Sequence, residues 1–231
     1  LAEERRFERG SRVLALGDPD YGTGGSAVAR GSMLRGHDLG PLEQTRREVE
    51  AVTDEEGDVR LLGKEASEAA FVAALRTREA EDAGRWRSVH LACHGLVDQG
   101  SPAWSCLALT PTPQDDGFLT VIEVLGLRIR ADLAVLSACE TGRGAERAGE
   151  GLVGLSSAFL HAGTDRVLAS LWKVDDRATY ALMKRFYELW NGEDARGAAH
   201  ALREAQAFVA ADPRWRSPRF WAAWVLWGLP D

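Results

Sequence analysis

Cysteine is scarce in this chain, long apolar runs are missing, and positive charge is in deficit; each shortage removes a class of protein. The three cysteines, Cys93, Cys106 and Cys139, stand in 231 residues. So small and odd a number makes no disulfide framework, and a reducing, cytoplasmic setting is expected. No apolar stretch approaches the roughly 18–20 residues that a bilayer span requires, and no signal peptide opens the sequence, so no membrane role is expected. Lys and Arg number 28 against 35 Asp and Glu, for a net charge of -7. That balance argues against direct nucleic-acid binding by this domain. There is no internal repeat, and Gly17 to Ser26 lacks the Gly-Lys-Ser/Thr of a phosphate loop.

What is present is enough apolar content, 45%, for one sizeable core. Residues 1–11, rich in Glu and Arg, read as a linker or the end of a preceding region, and 12–231 as one domain. Val13–Gly17, Arg60–Leu62, Arg87–Ala92, Asp132–Ala138, Arg166–Leu171 and an aromatic-rich Ser217–Leu229 read as strands, with Ser105–Leu109 part of a hairpin. Between them, Leu42–Val52, Ser67–Arg76, Thr120–Leu125, Gly151–His161, Asp176–Trp190 and Ala195–Ala210 carry helical spacing or caps. Thr120 with Glu123 three residues on has capping-box spacing. Tyr21–Gly40, dominated by Gly, Ser and Asp, reads as a long loop. Strand and helix in alternation predict an α/β three-layer sandwich: a mostly parallel central sheet with helices on both faces.

Two of the strands end on reactive side chains. Val89-His90-Leu91-Ala92-Cys93-His94-Gly95 stops at a His-Gly pair, and Ala134-Val135-Leu136-Ser137-Ala138-Cys139-Glu140-Thr141-Gly142 stops at a cysteine. The carboxyl ends of parallel strands share one edge, where ligands bind. A thiol there needs a neighbour to become thiolate near neutral pH, and an imidazole provides it. His94 is therefore expected to serve a Cys139 nucleophile, either taking its proton directly or holding the pair as thiolate and imidazolium. Gly95, without a Cβ in the way of a substrate carbonyl, and Cys139 are expected to offer backbone N–H groups as an oxyanion hole. Cys93 should point to the opposite face and serve the core, and Cys106 should be inert. Strand alternation separates Cys93 from His90 and His94, so no metal site is expected. Asp175 and Asp176 follow the fourth major strand and Asp18 and Asp20 the first. By the same edge logic all four are candidate substrate-binding carboxylates that would favour a basic residue. The plainer role for Asp175 or Asp176 is a helix cap.

Ala92-Cys93-His94-Gly95 and Leu136-Ser137-Ala138-Cys139-Glu140-Thr141-Gly142 resemble the motifs of the CHAT domain, a caspase-related family of cysteine peptidases allied to separase. Gly17-Asp18-Pro19, Leu61-Leu62-Gly63-Lys64-Glu65-Ala66-Ser67, Gly149-Glu150-Gly151-Leu152, Leu171-Trp172-Lys173-Val174-Asp175-Asp176 and Phe220-Trp221-Ala222-Ala223-Trp224-Val225-Leu226 fit in the same order. The resemblance implies a caspase-like fold and peptide-bond hydrolysis through a thioester on Cys139, with no cofactor. It also implies a protein substrate, and an N-terminal sensor or repeat region or a separate regulatory subunit that controls the domain. A bacterial origin and a role in antiviral defence or programmed cell death come from the resemblance alone. Two rival readings remain at this point: a non-catalytic docking module of the same fold, and a cysteine hydrolase or transferase acting on small acyl substrates.

Overall fold

Every residue from Trp86 to Leu96 is buried, as a strand covered on both faces must be, and the rest of the fold is arranged around this strand. The computed structural model describes residues 9–21, 39–42, 44–53, 55–98, 100–140, 150–192 and 196–230, with the backbone alone at 139–140 and 150–152. In chain order the elements are β1 (Ser11–Pro19), α1 (Thr45–Val52), β2 (Val59–Gly63), α2 (Glu68–Ala80), β3 (Trp86–Leu96), β4 (Cys106–Ala108) and β5 (Phe118–Thr120). They continue with α3 (Val121–Leu125), β6 (Ala134–Glu140), α4 (Glu150–Ala162), β7 (Arg166–Ser170), α5 (Asp176–Asn191), α6 (Ala198–Ala211) and β8 (Trp224–Gly228).

The main sheet runs β2-β1-β3-β6-β7-β8. Its first five strands are mutually parallel and β8 closes the edge antiparallel to β7. A hairpin of β4 and β5 branches off the far end of β3. Alternation along the strands sorts the core into two halves. Leu14, Leu16, Val89, Leu91, Leu136 and Val167 pack on one side with Phe71 of α2, Val124 of α3 and Phe159 of α4. Val13, Ala15, Ala92, Val135 and Leu168 pack on the other with Val49 of α1, Phe186 of α5 and Ala205 of α6. The expected three-layer α/β sandwich with a mostly parallel sheet is what the chain forms.

Local signals act as the sequence suggests at several ends. The Ser67 hydroxyl accepts the Ala70 N–H to start α2, and Thr120 and Glu123 form both halves of the capping box on α3. Gly163, with φ of 113°, turns the chain after α4 in a conformation that other residues resist.

Of the boundaries that differ from expectation, three bear on the sheet and its carboxyl edge. The strand expected to stop at Ala92 continues through His94 and Gly95 to Leu96, because β4 pairs antiparallel with that stretch on one side and β6 runs parallel to His94 and Gly95 on the other. The strand expected to stop at Ala138 runs to Glu140, paired with Gly95. At the C-terminus only Trp224–Gly228 is strand; Pro218–Phe220 forms a single turn of 3-10 helix, since a proline has no N–H to give a ladder. Trp224 is core, and Trp221 and Trp227 pack against the core in part.

Candidate active site

The chain reverses direction between β1, whose connection leads outward to β2, and β3, which returns to β1's other side. Such a switch point leaves a crevice beyond the carboxyl ends of the two strands. His94 sits there, directly paired in register with Cys139 of β6. Alternation puts position 94 in the row of His90 and Ala92, and position 139 in the row of Val135 and Ser137; Ala92 and Val135 both belong to the half-core under α1 and α5. The two positions expected to form a dyad are therefore neighbours across one strand pair.

His94 is held rather than free at the strand end: it is 7% exposed. Its Nε2 lies 2.8 Å from the Gly40 carbonyl oxygen. A carbonyl can only accept, so Nε2 carries the proton and a neutral ring keeps Nδ1 as its proton acceptor. Tyr21 packs its ring 5.4 Å from the imidazole. Its hydroxyl accepts the His94 N–H at 3.4 Å and donates to the Ala108 carbonyl at 3.2 Å. Burial, then the negative charge that Cys93 would carry, push the Tyr21 pKa far above its ordinary value, so this hydroxyl stays a donor. The long loop expected over Tyr21–Gly40 supplies these contacts from its two ends; residues 22–38 lie outside the described residues.

Beside His94 is a crevice of ≈ 30 Å³ whose walls include Thr45, Glu48, Ser137, Lys173, Asp176 and Thr179. Of the four candidate carboxylates, Asp176 reaches this crevice. Its pKa is raised, first by burial and then by Asp175 and Glu48, against the opposing pull of Lys173 and His94. Asp175 is the cap: its Oδ1 accepts the Arg177 and Ala178 N–H groups. Asp18, in the left-handed region at φ of 50°, is paired with Arg46 at 2.7 Å. Asp20 is anchored by its N–H to the Thr110 hydroxyl.

The other cysteines behave as core. Cys93 lies in the half-core opposite His94's row, among Leu91 and Leu107, and burial drives its thiol far above the usual range. Burial and nearby acids push the Cys106 thiol up to about 12. Among the described residues, no cluster of three His, Cys, Asp or Glu side chains could hold a metal ion. A Cβ on Gly95 would meet Ala138 at 3.5 Å, on the side away from His94's row. A side chain at this position would thus rest in ordinary contact with β6 and stay off His94's face.

Sequence reading missed Glu48, although a signal was there. Thr45, Glu48, Val49 and Val52 form the buried face of α1, at the spacing of an apolar stripe. A carboxylate in that stripe needs a reason. It lies 3.0 Å from His90 Nε2, and His90 Nδ1 is 3.2 Å from the Tyr187 hydroxyl. Gly40 and Tyr21 offered no such signal, since both act through loop geometry.

Sheet order, helix layers and a histidine paired in register with a cysteine at the carboxyl edge define a caspase-like α/β fold. A family model for the CHAT domain matches residues 2–229, and the chain belongs to the CHAT domain family. Tetratricopeptide repeat protein 28 of Mus musculus is 36% identical over 117 residues, covering 50% of this chain and 5% of that protein. Its Homo sapiens counterpart is 34% identical over 117 residues, again 50% of this chain and 5% of the relative. The chain thus spans a small fraction of the curated relatives it matches. Among solved structures, the Arg specific cysteine proteinase gingipain R superposes with a TM-score of 0.57 at 11% identity, over 95% of this chain and 46% of that one. At that identity the likeness is one of fold. No helix among the described residues is long and apolar enough to cross a membrane.

Proposed function

We propose that the domain is a cysteine endopeptidase in which Cys139 attacks the scissile carbonyl and His94 handles the proton. The observation that carries this reading is the register pairing of positions 94 and 139 at the carboxyl edge of a caspase-like sheet. The Cys139 thiol would give its proton to His94 Nδ1, the nitrogen left as acceptor by the Gly40 contact. Sulfur would then form a thioester with the acyl half of the substrate, His94 would protonate the leaving amine, and water would hydrolyse the thioester. The N–H groups of Gly95 and Cys139 would stabilise the oxyanion; losing one such donor costs about 2.7–4 kcal/mol in a hydrolase.

The crevice carboxylate Asp176 supports a preference for a basic residue before the cleaved bond. Asp175, bound into its cap, and Asp18, paired with Arg46, are poorer candidates than sequence position alone makes them. The names of the curated relatives support a place for the domain as the effector of a larger, repeat-bearing protein.

The test is a panel of fluorogenic peptides with Arg, Lys, Asp or Met before the cleaved bond, read with wild type, Cys139→Ala and His94→Ala. Turnover by the wild type, absent from both variants and greatest for Arg or Lys, is expected. Iodoacetamide should label Cys139 selectively at neutral pH in the wild type and not in His94→Ala. No turnover and no selective labelling would favour a docking module instead.

A further inference from the structure

Behind the candidate dyad lies a row of polar groups that the hydrolytic reading leaves unused. His90 is fully buried and Glu48 is 2% exposed, and they are 3.0 Å apart. The Tyr187 hydroxyl bridges His90 Nδ1 at 3.2 Å and the Ser88 hydroxyl at 3.0 Å. With Glu48 ionised, its oxygen can only accept, so His90 Nε2 donates to it. His90 Nδ1 then accepts from Tyr187, and Tyr187 accepts from Ser88. Burial pushes the Tyr187 pKa well above its usual value, which keeps that hydroxyl a donor. In that arrangement all donors run one way, toward Glu48, and a neutral His90 leaves the row with the single negative charge of the carboxylate.

An uncompensated buried carboxylate is costly, so its surroundings matter. From α5, Asp176 adds negative charge; from the β7–α5 connection, Lys173 adds positive; from β3, His94 opens onto the same crevice. Glu48, His94 and Asp176 all line this one small crevice, and Glu48 and His94 each act electrostatically on Asp176. His94 is the member of this group that gains a positive charge if Cys139 loses its proton.

Resting on the peptidase reading above, we infer that Glu48 is a positioning residue for the dyad: a fixed counter-charge, oriented by His90, that favours His94 as imidazolium and Cys139 as thiolate. The proton moves from the Cys139 thiol to His94 Nδ1 with no change in total charge, and Glu48 shifts the balance by attracting the cation. Glu48 touches neither nucleophile nor scissile bond in this scheme.

The rate of Cys139 alkylation by iodoacetamide, followed by peptide mass spectrometry from pH 5 to 10, reads the thiolate directly. In the wild type the midpoint should fall well below the ~8.5 of a free thiol. Glu48→Gln should raise the midpoint by about one pH unit and slow alkylation at pH 6 about ten-fold, with the high-pH plateau unchanged. Glu48→Asp should restore most of the shift, and Tyr187→Phe, which keeps the carboxylate, should leave the midpoint in place. If Glu48→Gln fails to fold, the paired Glu48→Gln/His90→Gln variant retains a hydrogen bond without the charge and should show the same rise. An unchanged midpoint in either folded variant would overturn the inference. So would nitrogen-15 NMR of the wild type at pH 7 showing a doubly protonated His90, which would cancel the charge of Glu48. A wild type whose Cys139 is not selectively alkylated would instead sink the peptidase reading, so the two failures are distinct.

Discussion

Asp175 and Asp176 are adjacent in the chain and divided in their work: Asp175 closes the first turn of α5 with its Oδ1, while Asp176 lines the crevice beside His94. Substitution should separate them. Asp175→Ala removes an N-cap and should cost about 1 kcal/mol of stability, read as a lower denaturant midpoint, with peptide preference unchanged. Asp176→Ala should leave stability nearly as it is and reduce turnover of Arg and Lys peptides relative to Met peptides. If Asp175→Ala alone alters the preference, Asp176 is not the selecting carboxylate.

Glu68 gives the fold a pH dependence of its own. It stands at the start of α2, and burial, followed by Glu123, Asp115 and Asp116, raises its pKa to about 7 from an ordinary 4.5. The folded state therefore holds this proton more tightly than the unfolded chain. The stabilisation is complete below about pH 4.5 and is lost as pH rises through about 7. Glu68→Gln should flatten that decline, so that urea midpoints at pH 5 and pH 8 lie closer together than in the wild type. A wild-type difference that survives the substitution would assign the effect to other groups.

Asp132 ties the start of the sheet together. One oxygen accepts the Gly10 N–H at 2.8 Å and faces Arg87 at 3.3 Å, and the other takes Arg85 at 3.1 Å. Arg85 also has Asp165 at 2.7 Å, whereas Arg87 would keep the uncharged Trp190 carbonyl and Asn191 side-chain oxygens as its acceptors, so removing Asp132 costs Arg87 more. Burial, then Arg9 nearby, already lower the Arg87 pKa to about 10, a sign that its charge is under-compensated. Asp132→Ala should destabilise the fold by about 3 kcal/mol, as loss of one partner from a buried pair does. In a double-mutant cycle by urea unfolding, coupling to Arg87 should exceed coupling to Arg85.

Much of this architecture is legible in the residues, for physical reasons that also mark where legibility stops. β3 and β6 are nearly unbroken apolar runs, and only a parallel strand covered on both faces gives such a run. Their reactive ends then fix the pairing of His94 with Cys139 in outline. The continuation of β3 through His94 to Leu96 is not legible, because its partners there, β4 and the end of β6, lie ten or more residues away in the chain. Which of Asp175 and Asp176 caps α5 depends on a one-residue phase that propensity does not resolve. Gly40 reaches His94 through its carbonyl, a group every residue carries, so no side-chain pattern could announce it. Glu48 was announced, as a charge in an apolar stripe of α1, but its purpose needed His90 and Tyr187 from elements distant in the chain.

Gly95 is where sequence and structure give different reasons for the same residue. A side chain there would rest against Ala138 at 3.5–3.7 Å, ordinary contact distance, with no positive φ to demand glycine. Gly95→Ala should therefore fold, with a melting temperature equal to or above that of the wild type, since the unfolded chain loses freedom. If the peptide N–H is what Gly95 contributes to hydrolysis, this variant should also keep turnover within a few-fold of the wild type, because the added methyl points toward β6 and leaves the N–H in place. A loss of activity approaching that of Cys139→Ala, in a protein of unchanged stability, would mean that substrate passes over the Ala138 side of the strand, and the oxyanion assignment would have to move with it.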